Sequence, residues 1–467
     1  MTIDAAQIEA VIRKVLAAVP ATEAEGHVDG DGVFADMGVA IEAAAVAAKA
    51  FRRASMAERR RYVTAIREVM LKPANLDYMV AQAVIETGIG DVAHKYLKNK
   101  FAAENTPGVE DLETSAWSGD DGLTTVEYSA YGVIGAITPT TNPTETIICN
   151  SIGMIAAGNS VVFSPHPRAR NLSIWQVREL NRALRAAGAP DNLIVTVAEP
   201  SLEATSTMIA HPAVQMLVAT GGPGIVKTVL SSGKKAIGAG AGNPPVVVDS
   251  TADLEHAAKC IVDGASFDNN LPCTAEKECI AVDSIADLLK FNMVKAGAYE
   301  ASADEVAKLE RLVLNKKGTG PDTGWVGKPA SEILREIGVE PPVGVRLIIC
   351  ETAADHPFVV HELMLPILGI VRVPDVEAAI ELAVELEHGN RHTAIMHSRD
   401  VKMLTKMGRE IQTTIFVKNG PSFNGIGIGG EGYSTFTIAG PTGEGLTRTR
   451  NFARTRRCVL VDDLNVR

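Results

Sequence analysis

Residues 133–163 read V133-I-G-A-I-T-P-T-T-N-P-T-E-T-I-I-C-N-S-I-G-M-I-A-A-G-N-S-V-V-F163. The opening apolar run predicts a strand, Val133–Thr138. Asn142, Pro143 and Glu145 stand where an N-cap, a first helical residue and a third helical residue would stand, so a helix is predicted to start there. Gly158 ends it, and Ser160–Phe163 makes the next strand. The uncharged run from Glu145 to Arg168 is long enough to span a bilayer. Asn150, Ser151, Gly158, Asn159 and Ser160 interrupt it, however, and Pro165 and Pro167 close it. A buried helix between two apolar strands is the better reading, and it implies a parallel sheet covered on both faces.

The same alternation extends in both directions. Helical runs are predicted over 39–54, 56–87, Leu172–Ala187 and Pro223–Ser231, with further strands at Leu193–Val197, Met216–Ala219 and Val246–Asp249. A second block, 253–419, has strands at Cys279–Val282, Arg346–Cys350, Leu368–Val373, Ala394–His397 and Thr414–Val417. The fold class is therefore α/β, with two doubly wound, Rossmann-like domains meeting in a cleft and ligands expected at the carboxyl ends of the strands. A Gly-rich tail, 420–445, and a basic stretch (Arg448, Arg450, Arg454, Arg456, Arg457) lead into a last strand, Cys458–Val461.

The N-terminus is separate in character. Ile8, Val11, Ile12, Val15, Leu16 and Val19 form one stripe of an amphipathic helix, opened by Asp4 and Gln7 and ended by Pro20. The polar stretch 21–32 has little to bury. Such a helix either docks onto another protein or packs on its own domain.

A net charge of −11 offers no basic field for nucleic acid or an anionic membrane. Aromatics at 4% also argue against base stacking as the main business. Basic n-region, apolar h-region and cleavage site are all missing from the N-terminus, so a cytosolic location is expected. The cysteines at 149, 260, 273, 279, 350 and 458 are scattered and expected to be free thiols. His356, His361 and Glu362 lie close together, but a five-residue His spacing does not share one helical face, and no metal site is expected.

Cys273, in F267-D-N-N-L-P-C-T-A-E, is the foremost candidate nucleophile: a thiol on a loop before a helix gains acidity from unpaired backbone N–H groups. Lone cysteines are more often inert core residues. Asn142 can be a helix cap or an oxyanion donor, and local sequence favours the cap. T220-G-G-P-G-I-V follows a strand and opens a helix, a turn through which backbone can approach a diphosphate. The loop G238-A-G-A-G-N-P-P brings backbone close to whatever occupies the cleft.

In this order, I-T-P-x-x-N-P, V161-V-F-S-P, T220-G-G-P, G238-A-G-A-G-N-P, Cys273 and H361-E-L-M-L-P resemble the aldehyde dehydrogenase superfamily. F163-S-P-H-P-R-A and N270-L-P-C are most similar to its coenzyme A-acylating branch, the propionaldehyde and acetaldehyde dehydrogenases of bacterial microcompartments. The resemblance implies Cys273 as nucleophile and Asn142 as oxyanion donor. It places Thr138, Pro139, Thr140, Ser164, Pro165, His166, Thr220, Gly221, Gly222, Ile225, Gly240, Glu362 and Leu363 around the cofactor, with Glu362 on the nicotinamide-side ribose. NAD is the family default, and coenzyme A is the co-substrate. The implied division is an encapsulation helix (1–20), a linker (21–37), a cofactor domain (38–118 and 136–246), a catalytic domain (247–438) and a small β oligomerisation element (119–135 and 439–467). A homodimer or homotetramer, held inside a microcompartment through the N-terminal helix and its shell or core proteins, follows from the same resemblance.

Two departures bear on chemistry. Hydrolytic members carry a glutamate where Ala239 stands, 34 residues before Cys273. Water needs a base at neutral pH whereas a thiol, with a pKa of about 8.5, needs far less help, so acyl transfer to a thiol is favoured over hydrolysis. Ser164 replaces the lysine that usually meets the adenosine ribose, which leaves NAD and NADP unseparated. His166, Arg168 and Arg170, or Arg448–Arg457, could meet the phosphates of coenzyme A, and for Arg448–Arg457 a solvated charged face or a subunit interface is at least as good a reading. Propionaldehyde is the expected substrate, with acetaldehyde, or hydrolysis to the free acid, as the alternatives. An inactive scaffold homologue would not need Cys273, Asn142 and Glu362 together.

Overall fold

The strand predicted at Val133–Thr138 forms over those residues and is buried at every position, as is the whole Pro143–Ala156 helix that follows it. A computed structural model describes residues 31–466. The helix expected at 4–19 lies outside the described residues. In the six-stranded parallel sheet the order is β1 (Val33–Phe34), β6 (Ile194–Val197), β5 (Ser160–Pro165), β4 (Val133–Thr138), β7 (Val214–Thr220) and β8 (Lys235–Ala239). Val162 registers on Gly135 and Leu217 lies on its other side, so the central strands are apolar on both faces and sandwiched between helices.

A second parallel sheet has seven strands: β11 (Ala298–Glu300), β12 (Leu347–Glu351), β13 (Ile367–Val373), β10 (Glu278–Val282), β9 (Pro245–Val248), β14 (Thr393–His397) and β15 (Ile415–Lys418). The third sheet is antiparallel: β18 (Ala453–Val461), β3 (Gly122–Ala130) and β2 (Ser115–Gly119). A two-stranded ribbon, β16 (Ile438–Ala439) with β17 (Gly445–Leu446), completes the set. The doubly wound α/β reading thus holds for both large sheets. Among the described residues no helix is long and apolar enough to cross a membrane.

Several expectations are corrected. The helical run 56–87 is two helices, Met56–Leu71 and Pro73–Thr87, because a residue before proline avoids helical ψ, and Lys72 sits at ψ 127°. Val33–Phe34, expected in a tether, pairs with β6. Gly238 and Ala239, read as loop, close β8. The boundary expected at residue 135 falls inside β4. Strand β18 starts at Ala453 rather than Cys458: its exposed Arg/Thr alternation carries no apolar signal.

Candidate active site

Opposite edges of the two large sheets meet at the site. The six-stranded sheet presents its carboxyl edge, where Thr138 ends β4, Pro165 ends β5 and Thr220 ends β7. The seven-stranded sheet presents its amino edge: Cys273 precedes β10, Glu362 precedes β13 and His392 precedes β14. The rule that ligands bind at carboxyl ends therefore holds for one sheet only.

Cys273 is partly exposed and follows a backbone in unusual conformation. Asp268, Asn269 and Asn270 have φ of 49°, 55° and 66°, three successive left-handed residues of the types that tolerate it best. Two clamps hold this loop. Lys95 and Lys98, fully buried, place their ammonium groups 3.2 and 2.6 Å from Asp268 Oδ2, and the Asp91 N–H donates to Asp268 Oδ1 at 2.7 Å. Burial works to raise the Asp268 carboxyl, but the two lysines overcome it and hold it below its usual range. On the other side Lys277 donates to Asn270 O (2.9 Å), Asn270 Oδ1 (2.6 Å) and Pro272 O (3.3 Å).

Asn142 stands at the N-cap of its helix, yet its side chain makes no capping bond. The local expectation of a cap fails because Lys98 claims the amide oxygen at 2.5 Å. Lys98 also pairs with Glu145 at 3.1 Å. Both lysines, Lys98 and Lys277, pull the Cys273 thiol toward ionisation, so the loop and Asn142 share one electrostatic environment.

The expectation of an acidified thiol before a helix is also corrected. A turn and then β10 follow Cys273, not a helix. Burial, helped by the Glu362 charge, pushes the thiol up to about 12. Burial likewise lifts Glu362 to about 7, against Lys277 and the Gly242 N–H. The loop after β8 closes over this cluster: a Cβ on Gly242 would stand 2.9 Å from both Cys273 O and His392 Cγ. His392 is buried, donates or accepts through Nδ1 at Thr393 Oγ1 (2.8 Å), and has no partner for Nε2. Burial pulls its pKa down to about 4, which keeps it neutral.

On the nucleotide side the residues present fit a dinucleotide. Thr138 is buried with its Oγ1 unpartnered at the mouth of the cleft. Pro139 and Thr140 follow it and are half-buried. Gly222 caps the Pro223–Leu230 helix, whose first amides lack intrahelical partners, and a Cβ there or at Gly240 would meet only open space. Gly221 N donates to Ala239 O at 3.1 Å, tying the turn to β8, and Ile225 is half-buried beside it. Thr220 Oγ1 lies 2.9 Å from Thr437 Oγ1, Ser164 Oγ 2.8 Å from Thr205 Oγ1, and His166 is exposed beyond Pro165. Leu363 differs from its neighbours: its side chain packs in the core with Phe358 and Ile367, leaving only backbone to a ligand. Among the described residues no group of His, Cys, Asp and Glu could hold a metal.

Sequence reasoning missed Lys98, Lys277, Asp268 and His392. A run of Asp-Asn-Asn before the cysteine hints at left-handed backbone, but nothing in the sequence says that Lys98, 170 residues away, reaches it.

Residues 20–449 match the Aldehyde dehydrogenase family. A propanal dehydrogenase (CoA-propanoylating) of Citrobacter freundii is 48% identical over 463 residues, 99% of each chain. The crystal structure of Rhodopseudomonas palustris propionaldehyde dehydrogenase with bound CoA and an acylated cysteine is 62% identical, with a TM-score of 0.92 over 94% of this chain and all of that one. A propionaldehyde dehydrogenase from the Clostridium phytofermentans fucose utilisation bacterial microcompartment is 50% identical, with a TM-score of 0.91 over 93% of this chain and 100% of that chain. The chain that carries this cleft, its clamped cysteine loop and its glycine turn belongs to the aldehyde dehydrogenase family, in its coenzyme A-acylating branch.

Proposed function

We propose that the protein oxidises a short aliphatic aldehyde, propanal, with NAD and coenzyme A to the acyl-CoA. The carrying observation is the pairing of a clamped Cys273 with Ala239, a methyl group closing β8 where hydrolytic members carry their base. Cys273 gives up its thiol proton to solvent, its sulfur as thiolate forms the C–S bond to the aldehyde carbon, and the carbonyl pair becomes an oxyanion. Asn142 Nδ2 and the Cys273 backbone N–H receive it. As the oxyanion pair re-forms the carbonyl, the C–H hydride would leave for bound NAD, which supplies the acceptor, and the acyl group stays on Cys273 as a thioester. Thr138, Pro139, Thr140, Ser164, Pro165, His166, Thr220, Gly221, Gly222, Ile225 and Gly240 would hold the dinucleotide, and Glu362 with the Leu363 backbone would meet its ribose. The coenzyme A thiol loses its proton to solvent and bonds to the acyl carbon. The Cys273–acyl bond breaks, and the sulfur leaves as thiolate.

NADH production from propanal and NAD, followed with and without coenzyme A, tests this reading. Steady turnover only with coenzyme A, yielding propionyl-CoA, supports it; equal turnover without it, yielding propionate, refutes it. The stripe of residues 8–19 supports a further reading as an encapsulation helix, and the free edge of β18 one as an oligomer contact. Deleting residues 1–20 should abolish co-purification with compartments and leave kinetics intact; a truncated enzyme that still localises would refute it.

A further inference from the structure

A second concave site lies at the far edge of the six-stranded sheet. Gly132 and Gly158, which line it, stand just before β4 and β5, so it opens at the amino edge, one strand length (roughly 20 Å) from the cofactor cleft. Its volume is about 390 Å³, within the usual range for small-molecule sites. Among the described residues four guanidinium side chains line it, those of Arg52, Arg59, Arg454 and Arg456, and no carboxylate does.

In a chain of net charge −11 such a cluster is anomalous, and two polar groups in its wall are buried without partners among the described residues. Arg59 Nε is buried without a partner, and so is the hydroxyl of Ser129 in the same wall. Burial alone lowers the Arg59 pKa; among the described residues no neighbouring acid supports its charge. Glu127 faces Arg456 across the β3–β18 ladder, but among the described residues the two make no ion pair. Arg454 donates to Ala130 O at 3.1 Å and covers the Tyr131 ring, which fixes it at the rim. Two helices, Met37–Phe51 and Pro143–Ala156, end here, and each contributes roughly half a negative charge, far less than four cations. Buried, unsatisfied donors cost stability unless something accepts from them.

We propose that this pocket is a binding site for a small phosphate-bearing anion, inorganic diphosphate or a phosphate monoester, remote from the catalytic cleft. A phosphate group brings close to two charges and several acceptor oxygens, enough for Arg59 Nε, the Ser129 hydroxyl and the guanidinium forks of Arg52 and Arg456 together. A single carboxylate would leave most of these donors unmet.

Calorimetric titration with inorganic diphosphate and with inorganic phosphate, on full-length protein saturated with NAD to occupy the cleft, tests the proposal. Diphosphate is expected to bind one per chain, more tightly than phosphate. Arg59→Gln and Arg456→Gln should each weaken binding at least tenfold while NADH production stays within twofold of the parent. Should Arg59→Gln not fold, Arg456→Gln, on an exposed strand, and Ser129→Ala carry the same test. No binding by the parent chain, or equal binding by the variants, would overturn it. So would variants that change the sedimenting species of a parent that binds no diphosphate, which would make the pocket a subunit contact.

Discussion

Lys98 Nζ lies 2.5 Å from Asn142 Oδ1, with both side chains buried. An ammonium group can only donate, so the atom facing it is the amide oxygen, and Nδ2 is turned away from Lys98. The lysine thereby fixes which end of Asn142 is available as a donor. Removing that donor by Asn142→Ala should lower kcat by about 10²–10³-fold, the usual cost of an oxyanion-hole hydrogen bond. Stopped-flow NADH bursts measure it; a variant with an unaltered burst rate would remove Asn142 from the chemistry.

Cys273→Ala separates chemistry from architecture. The residue as a whole is partly exposed and, among the described residues, its sulfur makes no hydrogen bond to another side chain, so truncation should shift stability by less than about 1 kcal/mol. NAD binding, read by calorimetry, should persist while turnover falls to background. Residual steady turnover would mean another nucleophile.

The thiol's environment has a definite sign. Glu362, when ionised, raises the Cys273 pKa, and Lys277 lowers it. Glu362→Gln should therefore move the pH profile of iodoacetamide alkylation to lower pH, and Lys277→Met should move it to higher pH. The parent rate should still be climbing at pH 9, because a thiol held near 12 is mostly protonated there. Shifts of the same sign in the two variants would contradict this arrangement.

Strands and glycine turns were legible because they obey local rules: the apolar period of Val133–Thr138, Pro143 at a helix start, Gly222 before a helix. Asn142 shows where locality ends. Its sequence context is that of a cap, and a lysine on another helix overrides it. The thiol's acidity failed for the same reason, since Glu362 and the burial of Cys273 are tertiary facts. Strand β18 was half missed because an exposed edge of Arg and Thr looks like loop to any reading based on apolar alternation.

Glu276 links the site's loop to stability. It is fully buried, accepts from Ser422 N (2.9 Å) and Oγ (2.7 Å), and burial raises its pKa to about 7 from 4.5. A carboxyl raised in the folded state favours folding while protonated. That stability is complete below pH 4.5 and lost as pH rises through 7, on the order of 3 kcal/mol for this group. Glu276→Gln, which stays neutral, should flatten the fall of urea stability between pH 5 and 8. An unchanged slope would mean that Glu276 is already ionised in the folded protein.

Gly242 is the narrowest point over the nucleophile. Its N–H supports Glu362, and an added Cβ would lie 2.9 Å from Cys273 O and from His392 Cγ, closer than side-chain carbons tolerate. Neither neighbour can yield easily: one is backbone on a loop pinned by Lys277, the other a buried ring tied to Thr393 Oγ1 through Nδ1. Gly242→Ala must therefore displace Cys273, and shifts of about 1 Å from productive geometry cost on the order of 10²-fold in rate. The dinucleotide turn at Gly221 and Gly222 is untouched, so kcat should fall with the KM for NAD preserved. A variant in which KM for NAD rises and kcat does not would place Gly242 on the nucleotide side of the cleft instead.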